Sequence, residues 1–126
     1  LSNYIYQKGL NERIHLPGWI TNDKLRESLS IHSIFLSTSL AEGMSNSLLE
    51  ALAFGLIPVC YDIPANREVL GNSFPLIINS LDPTEWSKKI NTIDQNKLKL
   101  EKMISLRVKE FDIGKIVDQL SEMYNS

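Results

Sequence analysis

The stretch IFLSTSLAEGMSNSLLEALAFGLIPVCY, Ile34 to Tyr61, carries the pattern that decides the architecture. Its first six residues, Ile34 to Ser39, are a compact β-prone run without a charge, as a strand covered on both faces would be. Gly43 and the polar trio Ser45, Asn46 and Ser47 then lead into LLEALAF, an apolar run that stops at Gly55, so the pattern is loop, helix, glycine stop. Ile57 to Tyr61 is apolar again, with Pro58 near its first position, where a missing N–H is tolerated. Strand, loop, helix and strand joined this closely specify a parallel βαβ unit with a right-handed crossover. The expected fold class is α/β, a doubly wound parallel sheet with flanking helices, and Ile34–Ser39 is expected at its centre.

Upstream, Leu1, Tyr4 and Ile5 sit at helical spacing before Gly9, a plausible stop. Arg13 to Leu16 (RIHL) reads as a short strand closed by Pro17-Gly18, and Thr21-Asn22-Asp23 as the N-cap cluster of a helix reaching about Leu29. Downstream, Pro64 to Leu70 reads as a short helix and Phe74 to Asn79 (FPLIIN) as a strand. From Asp82 the pattern is helical, through Trp86, Ile90 and Ile93, then Leu98, Leu100, Met103, Ile104 and Leu106, then Ile113, Ile116, Val117, Leu120 and Tyr124. No G-x-G-x-x-G follows a strand and no G-x-x-x-x-G-K-[ST] occurs, so the dinucleotide and P-loop readings fail on residue identity. The chain opens at Leu1, without a methionine, in what reads as the end of a helix, so a fragment is expected.

A length of 126 residues allows one core at most, and 43% apolar with 22% charged residues is globular rather than disordered composition. A net charge of −2 gives no electrostatic footprint for nucleic acid. No apolar run approaches the ~18–20 residues of a membrane span, and the N-terminus lacks the regions of a signal peptide, so the chain reads as cytoplasmic. With Cys60 the sole cysteine and His15 and His32 the only histidines, neither an internal disulfide nor a zinc ligand set is available.

Between Glu42 and Asp62 the only charged residue is Glu50, one carboxylate in a span of apolar residues. In open α/β sheets ligands bind at the carboxyl ends of strands, where the loop Leu40–Asn46 would lie. The helix behind it offers free N–H groups and a positive dipole end to a phosphate, and Gly43 lets backbone approach a ligand closely.

The segment SLAEGMSNSLLEALAFGLIPV, with seven residues between Glu42 and Glu50, resembles the E-x7-E signature of retaining GT-B glycosyltransferases of family four. NERIHLPGWI resembles the strand and glycine loop of that family, IFLSTS follows at a fitting spacing, and IPANREVL resembles the segment after the next strand, ending in Glu68. The resemblance covers about Leu1 to Asn79 and implies a Rossmann-like C-terminal domain that binds the nucleotide sugar, residues 1–126 being part of that half of the enzyme. It implies that Glu42 faces the donor sugar as the catalytic candidate, without being a nucleophile, and that the backbone of Gly43, Met44, Ser45 and Asn46 contacts sugar hydroxyls. Amides near Ser47 and Leu48 would hold the diphosphate, Glu50 would accept from the ribose hydroxyls, and Leu16, Pro17, Gly18 and Trp19 would lie by the base. Carboxylates suit these roles because they are acceptors only and a sugar presents paired O–H donors. No cofactor or metal is implied beyond the nucleotide-sugar donor.

The basic phosphate clamp of the family and its N-terminal acceptor domain have no counterpart in the sequence, so transfer to a glycan, lipid-linked or polysaccharide acceptor is expected to be absent from this chain alone. Ser45 and Asn46 stand where a second glycine is common. A nucleotide-sugar epimerase of the same architecture and a non-catalytic nucleotide-sugar-binding or interaction module are the alternatives. Plainer readings stand beside these roles. Ser47-x-x-Glu50 is also a capping box, Glu42 could be a loop carboxylate near a helix dipole, and Glu68 reads as a cap or a solvated residue. His15 and His32 read as hydrogen-bonded packing residues, Cys60 as a small buried hydrophobe, and Trp19 as a stack on the base or a cover for the sheet edge. The span Lys88–Lys109, with seven Lys or Arg against two acids, reads as a solvated face or as a contact with an anionic membrane at its inner, cytoplasmic face.

Overall fold

The computed structural model describes the chain except for Met44, Ile113, Gly114, Val117, Leu120, Ser121 and residues 124–126. The helical repeat expected at Ile113, Val117, Leu120 and Tyr124 falls on residues outside that set. In chain order the elements are α1 (Ser2–Gln7), α2 (Asn22–Ile31), β1 (Ile34–Ser37), α3 (Asn46–Ala53), β2 (Ile57–Tyr61), α4 (Pro64–Leu70), β3 (Ile77–Ile78), α5 (Pro83–Asn91), a 3-10 turn (Asp94–Asn96) and α6 (Lys97–Phe111).

Local chemistry sets the helix limits. Thr21 caps α2, its hydroxyl oxygen accepting from the Lys24 N–H at 3.3 Å, and Asp82 caps α5 by accepting from the Thr84 N–H at 2.9 Å. At the end of α3 the Gly55 N–H reaches the Leu52 carbonyl and the Leu56 N–H reaches the Ala51 carbonyl, both at 3.0 Å, while Gly55 sits at φ +79°. This paired closure needs a left-handed residue, and it turns the chain directly into β2. The end of α4 is closed from a distance. Arg107 of α6 donates from Nε to the Val69 carbonyl at 2.8 Å and from Nη2 to the Glu68 carbonyl at 2.7 Å.

The described sheet is parallel, in the order β1-β2-β3, with Ile34 opposite Ile57, Ser37 opposite Cys60, and Cys60 opposite Ile77. β2 is its centre, buried from Ile57 to Cys60 because helices and neighbouring strands cover it on every side. Leu48, Leu49 and Leu52 of α3, Val69 and Leu70 of α4, and Leu100 and Ile104 of α6 complete the core around it. A proline is tolerated in this central strand for a geometric reason. The Cys60 N–H bonds the Leu76 carbonyl on the β3 side, so the Pro58 nitrogen, two residues earlier, faces the same side ahead of the first residue of β3.

Three expectations are corrected. β1 is an edge of the described sheet rather than its centre, with Ile34 38% and Leu36 53% exposed. An uncharged run shows what a strand could bury, and neighbours on both sides come only to β2. RIHL is not a strand, because the Leu10 carbonyl takes the N–H groups of both Arg13 and Ile14 at 2.9 Å and holds the segment in a turn. The strand expected over Phe74–Asn79 shortens to Ile77–Ile78, with Pro75 unable to donate to a ladder. Among the described residues no helix is long and apolar enough to cross a membrane.

Candidate functional site

β1 ends at Ser37, and the chain leaves the carboxyl end of the sheet through residues 38–45 before entering α3. The start of α3 is uncapped. Ser45 occupies the N-cap position without a side-chain bond to the helix, and the first intrahelical bond runs from the Leu49 N–H to the Ser45 carbonyl at 3.0 Å. The N–H groups of the first turn, those of Asn46, Ser47 and Leu48, therefore point away from the helix at its positive end. This corrects the capping-box reading. Ser47 is already the second residue of the helix, so Ser47 and Glu50 are not placed to cap it reciprocally.

Glu42 lies exposed in this loop, and its charge acts together with burial to push the Cys60 thiol up to about 12. The contacts that run from Glu42 through Ser45 and Asn66 to the Tyr61 carbonyl set it beside the carboxyl end of β2. Cys60 itself is fully buried, the small hydrophobe expected. The side chain of Ser45 turns inward: its hydroxyl lies 3.1 Å from Glu42 Oε2 and 2.7 Å from Asn66 Oδ1, and Ser45 and Asn66 are each 1% exposed. The Asn66 amide in turn donates to the Tyr61 carbonyl at 2.8 Å. A Cβ built on Gly43 meets nothing within 4 Å, so open space borders the loop there. Asn46 Oδ1 is buried and finds no hydrogen-bond partner among the described residues.

Glu50 lies half-buried on α3, and burial raises its carboxyl above the ordinary value of 4.5 while the Arg26 charge on α2 works the other way. Glu42, Gly43, Ser45, Asn46, Ser47, Leu48 and Glu50 thus lie on one loop and the helix it opens. Met44 lies outside the described residues. Leu16, Pro17, Gly18 and Trp19 form an open surface on a separate segment, and Leu16 and Pro17 line a groove of about 380 Å³ with Ile5, Ile14 and His15. Trp19 is 98% exposed and covers no sheet edge. His15 is exposed rather than packed. His32 is exposed too, its Nδ1 lying 2.6 Å from the Ser28 carbonyl.

Sequence reasoning missed Asn66, Arg26 and the Asp62–Arg67 pair. Arg67 donates from Nε to Asp62 Oδ1 and from Nη2 to Oδ2 at 2.8 Å, a two-pronged pair that holds the Asp62 carboxyl below its usual range. Asp62 lies in the short link after β2 and Arg67 inside α4, five positions on, and only the fact that α4 starts directly after that link brings them together. Asn66 was legible to a degree, since a polar residue inside the apolar face of a short helix after a strand demands a buried partner. Of the basic span, Arg107 is spent on the end of α4 and on Glu110, and Lys88 lies 3.6 Å from Glu85, while Lys89, Lys97, Lys99, Lys102 and Lys109 are exposed. Among the described residues no group of three or more His, Cys, Asp or Glu side chains could hold a metal ion.

The sequence profile of a family described as "Glycosyl transferases group 1" matches residues 1–110. The "Phosphatidylinositol N-acetylglucosaminyltransferase GPI3 subunit" of Saccharomyces cerevisiae, found in three strains, is 26% identical over 116 residues, covering 92% of this chain and 24% of the relative. The chain therefore spans about a quarter of the length of the curated relatives it matches. No solved structure matches it. Since the profile takes in residues 1–110, loop, α3 and sheet included, the chain belongs to the group 1 glycosyl transferases.

Proposed function

We propose that the chain is the donor-binding domain of a retaining glycosyltransferase, carrying a sugar from a nucleotide donor toward a lipid-linked or glycan acceptor. The observation that carries this is the uncapped start of α3 at the carboxyl end of a parallel sheet, with Glu42 beside it. The N–H groups of Ser47 and Leu48 hold the diphosphate, where fixed dipoles steady the charge that develops on the leaving group. Glu42 and the backbone of Gly43, Met44, Ser45 and Asn46 take the sugar, Glu50 the ribose, and Leu16, Pro17, Gly18 and Trp19 the base. No resident metal takes part. N-acetylglucosamine, named for the yeast relative, is the sugar to test first, and the lipid in that name favours a membrane-linked acceptor met at the cytoplasmic face through the exposed lysines of α5 and α6.

Titrating the chain with UDP, GDP and ADP, read by amide chemical shifts, tests this. Saturable shifts are expected at Gly43–Glu50 and Leu16–Trp19, with an affinity in the high micromolar to millimolar range. Binding is this weak because two charged phosphate contacts worth ~1.5–3 kcal/mol each, those of the basic clamp, have no counterpart among these residues. Shifts confined to α5 and α6 would sink the site. Because the chain spans about a quarter of its relatives' length, its incubation with nucleotide sugars and acceptors is expected to yield no product above a buffer control.

A further inference from the structure

Ser45 Oγ lies within reach of two acceptors, Glu42 Oε2 at 3.1 Å and Asn66 Oδ1 at 2.7 Å, yet a hydroxyl has one hydrogen to give. The third contact decides which acceptor holds it. The Tyr61 carbonyl can only accept, so the group that Asn66 presents to it at 2.8 Å is the NH2, and the amide oxygen must face Ser45. Asn66 and Ser45 are each 1% exposed, whereas Glu42 is open to solvent. An Asn66 oxygen denied the hydrogen would be a buried acceptor without a partner, a larger loss than leaving Glu42 to water. The hydrogen therefore belongs to Asn66, and Ser45 turns its lone pairs toward Glu42.

We propose that Asn66 is a positioning residue for donor-sugar recognition: by holding the Ser45 hydrogen it keeps the Glu42 carboxylate from being tied to the start of α3, leaving both carboxylate oxygens for the hydroxyls of the sugar. This rests on the reading of Glu42 as the sugar-facing carboxylate. Asn66 is itself fixed by the last residue of β2, so the sheet, rather than the loop, sets the resting state of Glu42. Without the Asn66 oxygen, the Ser45 hydroxyl turns to an ionised carboxylate and forms a charge-assisted bond that an incoming sugar must break.

Isothermal titration of the chain with UDP-N-acetylglucosamine and with UDP gives the contribution of the sugar as a ratio of affinities. Asn66→Ala should reduce the preference for the sugar-bearing ligand about tenfold, the scale of one charge-assisted hydrogen bond, with UDP affinity unchanged. Adding Ser45→Ala to that variant should restore the preference, since no hydroxyl remains to capture Glu42. A purely structural role would weaken both ligands together, and deleting a second polar group would not rescue it. Asn66→Ala without effect on the ratio, or a double variant that fails to restore it, overturns the proposal. Neutron diffraction from deuterated crystals of the unaltered chain locates the same hydrogen with no dependence on a variant folding. Density on the line to Asn66 Oδ1 is expected, and density toward Glu42 Oε2 overturns the proposal. Glu42→Gln separates this from the parent reading. A ratio indifferent to Glu42→Gln removes the sugar role of Glu42, whereas a ratio that responds to it but not to Asn66→Ala removes only the role of Asn66.

Discussion

Glu50 carries an ionisable group where burial opposes its charge, and its carboxyl is held above 4.5 for that reason, with Arg26 as the weaker, opposing influence. The native state thus holds this proton more tightly than the unfolded chain does. The associated stability is present in full below 4.5 and is lost as pH rises through the higher native value. Glu50→Gln removes that step, so the variant should gain on the wild type in melting temperature as pH rises above 4.5. If Glu50 takes the ribose as proposed, binding should move the other way, with UDP affinity falling by ~1–3 kcal/mol because Gln replaces one acceptor by a donor. A 2′,3′-dideoxy nucleotide should bind both forms alike, and equal weakening of both ligands would end the ribose assignment. The isolated carboxylate was legible in the sequence because Glu50 is the only charge between Glu42 and Asp62. Arg26 was not, since nothing in its own neighbourhood shows that α2 comes near α3. The inward turn of Ser45 was hidden too, because its acceptor Asn66 lies 21 positions away in the chain.

At the scale of elements, three glycines with different surroundings separate backbone geometry from space. Gly43 has neither a left-handed backbone nor a neighbour within 4 Å of an added Cβ, so Gly43→Ala should leave the fold intact and cost only ligand affinity. Gly55 has the left-handed φ with open space around it, so Gly55→Ala should cost ~1–2 kcal/mol from backbone alone. Gly71, at φ +86° and ψ 156°, lies in a region reserved for glycine, and an added Cβ would sit 3.7 Å from the Arg107 guanidinium that closes α4. Its Ala variant should be the least stable of the three in denaturant unfolding, by up to ~3 kcal/mol. Equal melting of all three would refute the ordering. Elements whose ends are written in local chemistry were read well. Pro64–Leu70 is a helix over the residues expected, and α3 stops at its glycine. RIHL and FPLIIN were misread because a strand exists only where a partner ladder arrives, which a local apolar run does not state.

For the whole molecule, the parallel α/β class followed from the alternation of apolar runs and short loops, while the order of strands did not, since centre and edge are decided by neighbours from distant parts of the chain. That order puts the sole cysteine of the sequence in the central strand, next to the last residue of β2, with no exposed surface and its thiol pushed up to about 12. At pH 8 the native thiol is therefore neutral and sealed, and only the thiolate attacks a disulfide reagent. Labelling by a chromogenic disulfide should thus be negligible in buffer and rapid in denaturant, with a native-state rate that responds to Gly71→Ala as global stability does. Fast labelling of the folded protein would mean that β2 opens on its own, apart from the rest of the core. A nucleotide held at the start of α3, as proposed above, would brace the helix that lies against this strand and should slow the reaction in proportion to occupancy. Cys60 thus serves as a chemical stopwatch built into the chain, on which the breathing of the core and the grip on a donor are timed without any added probe.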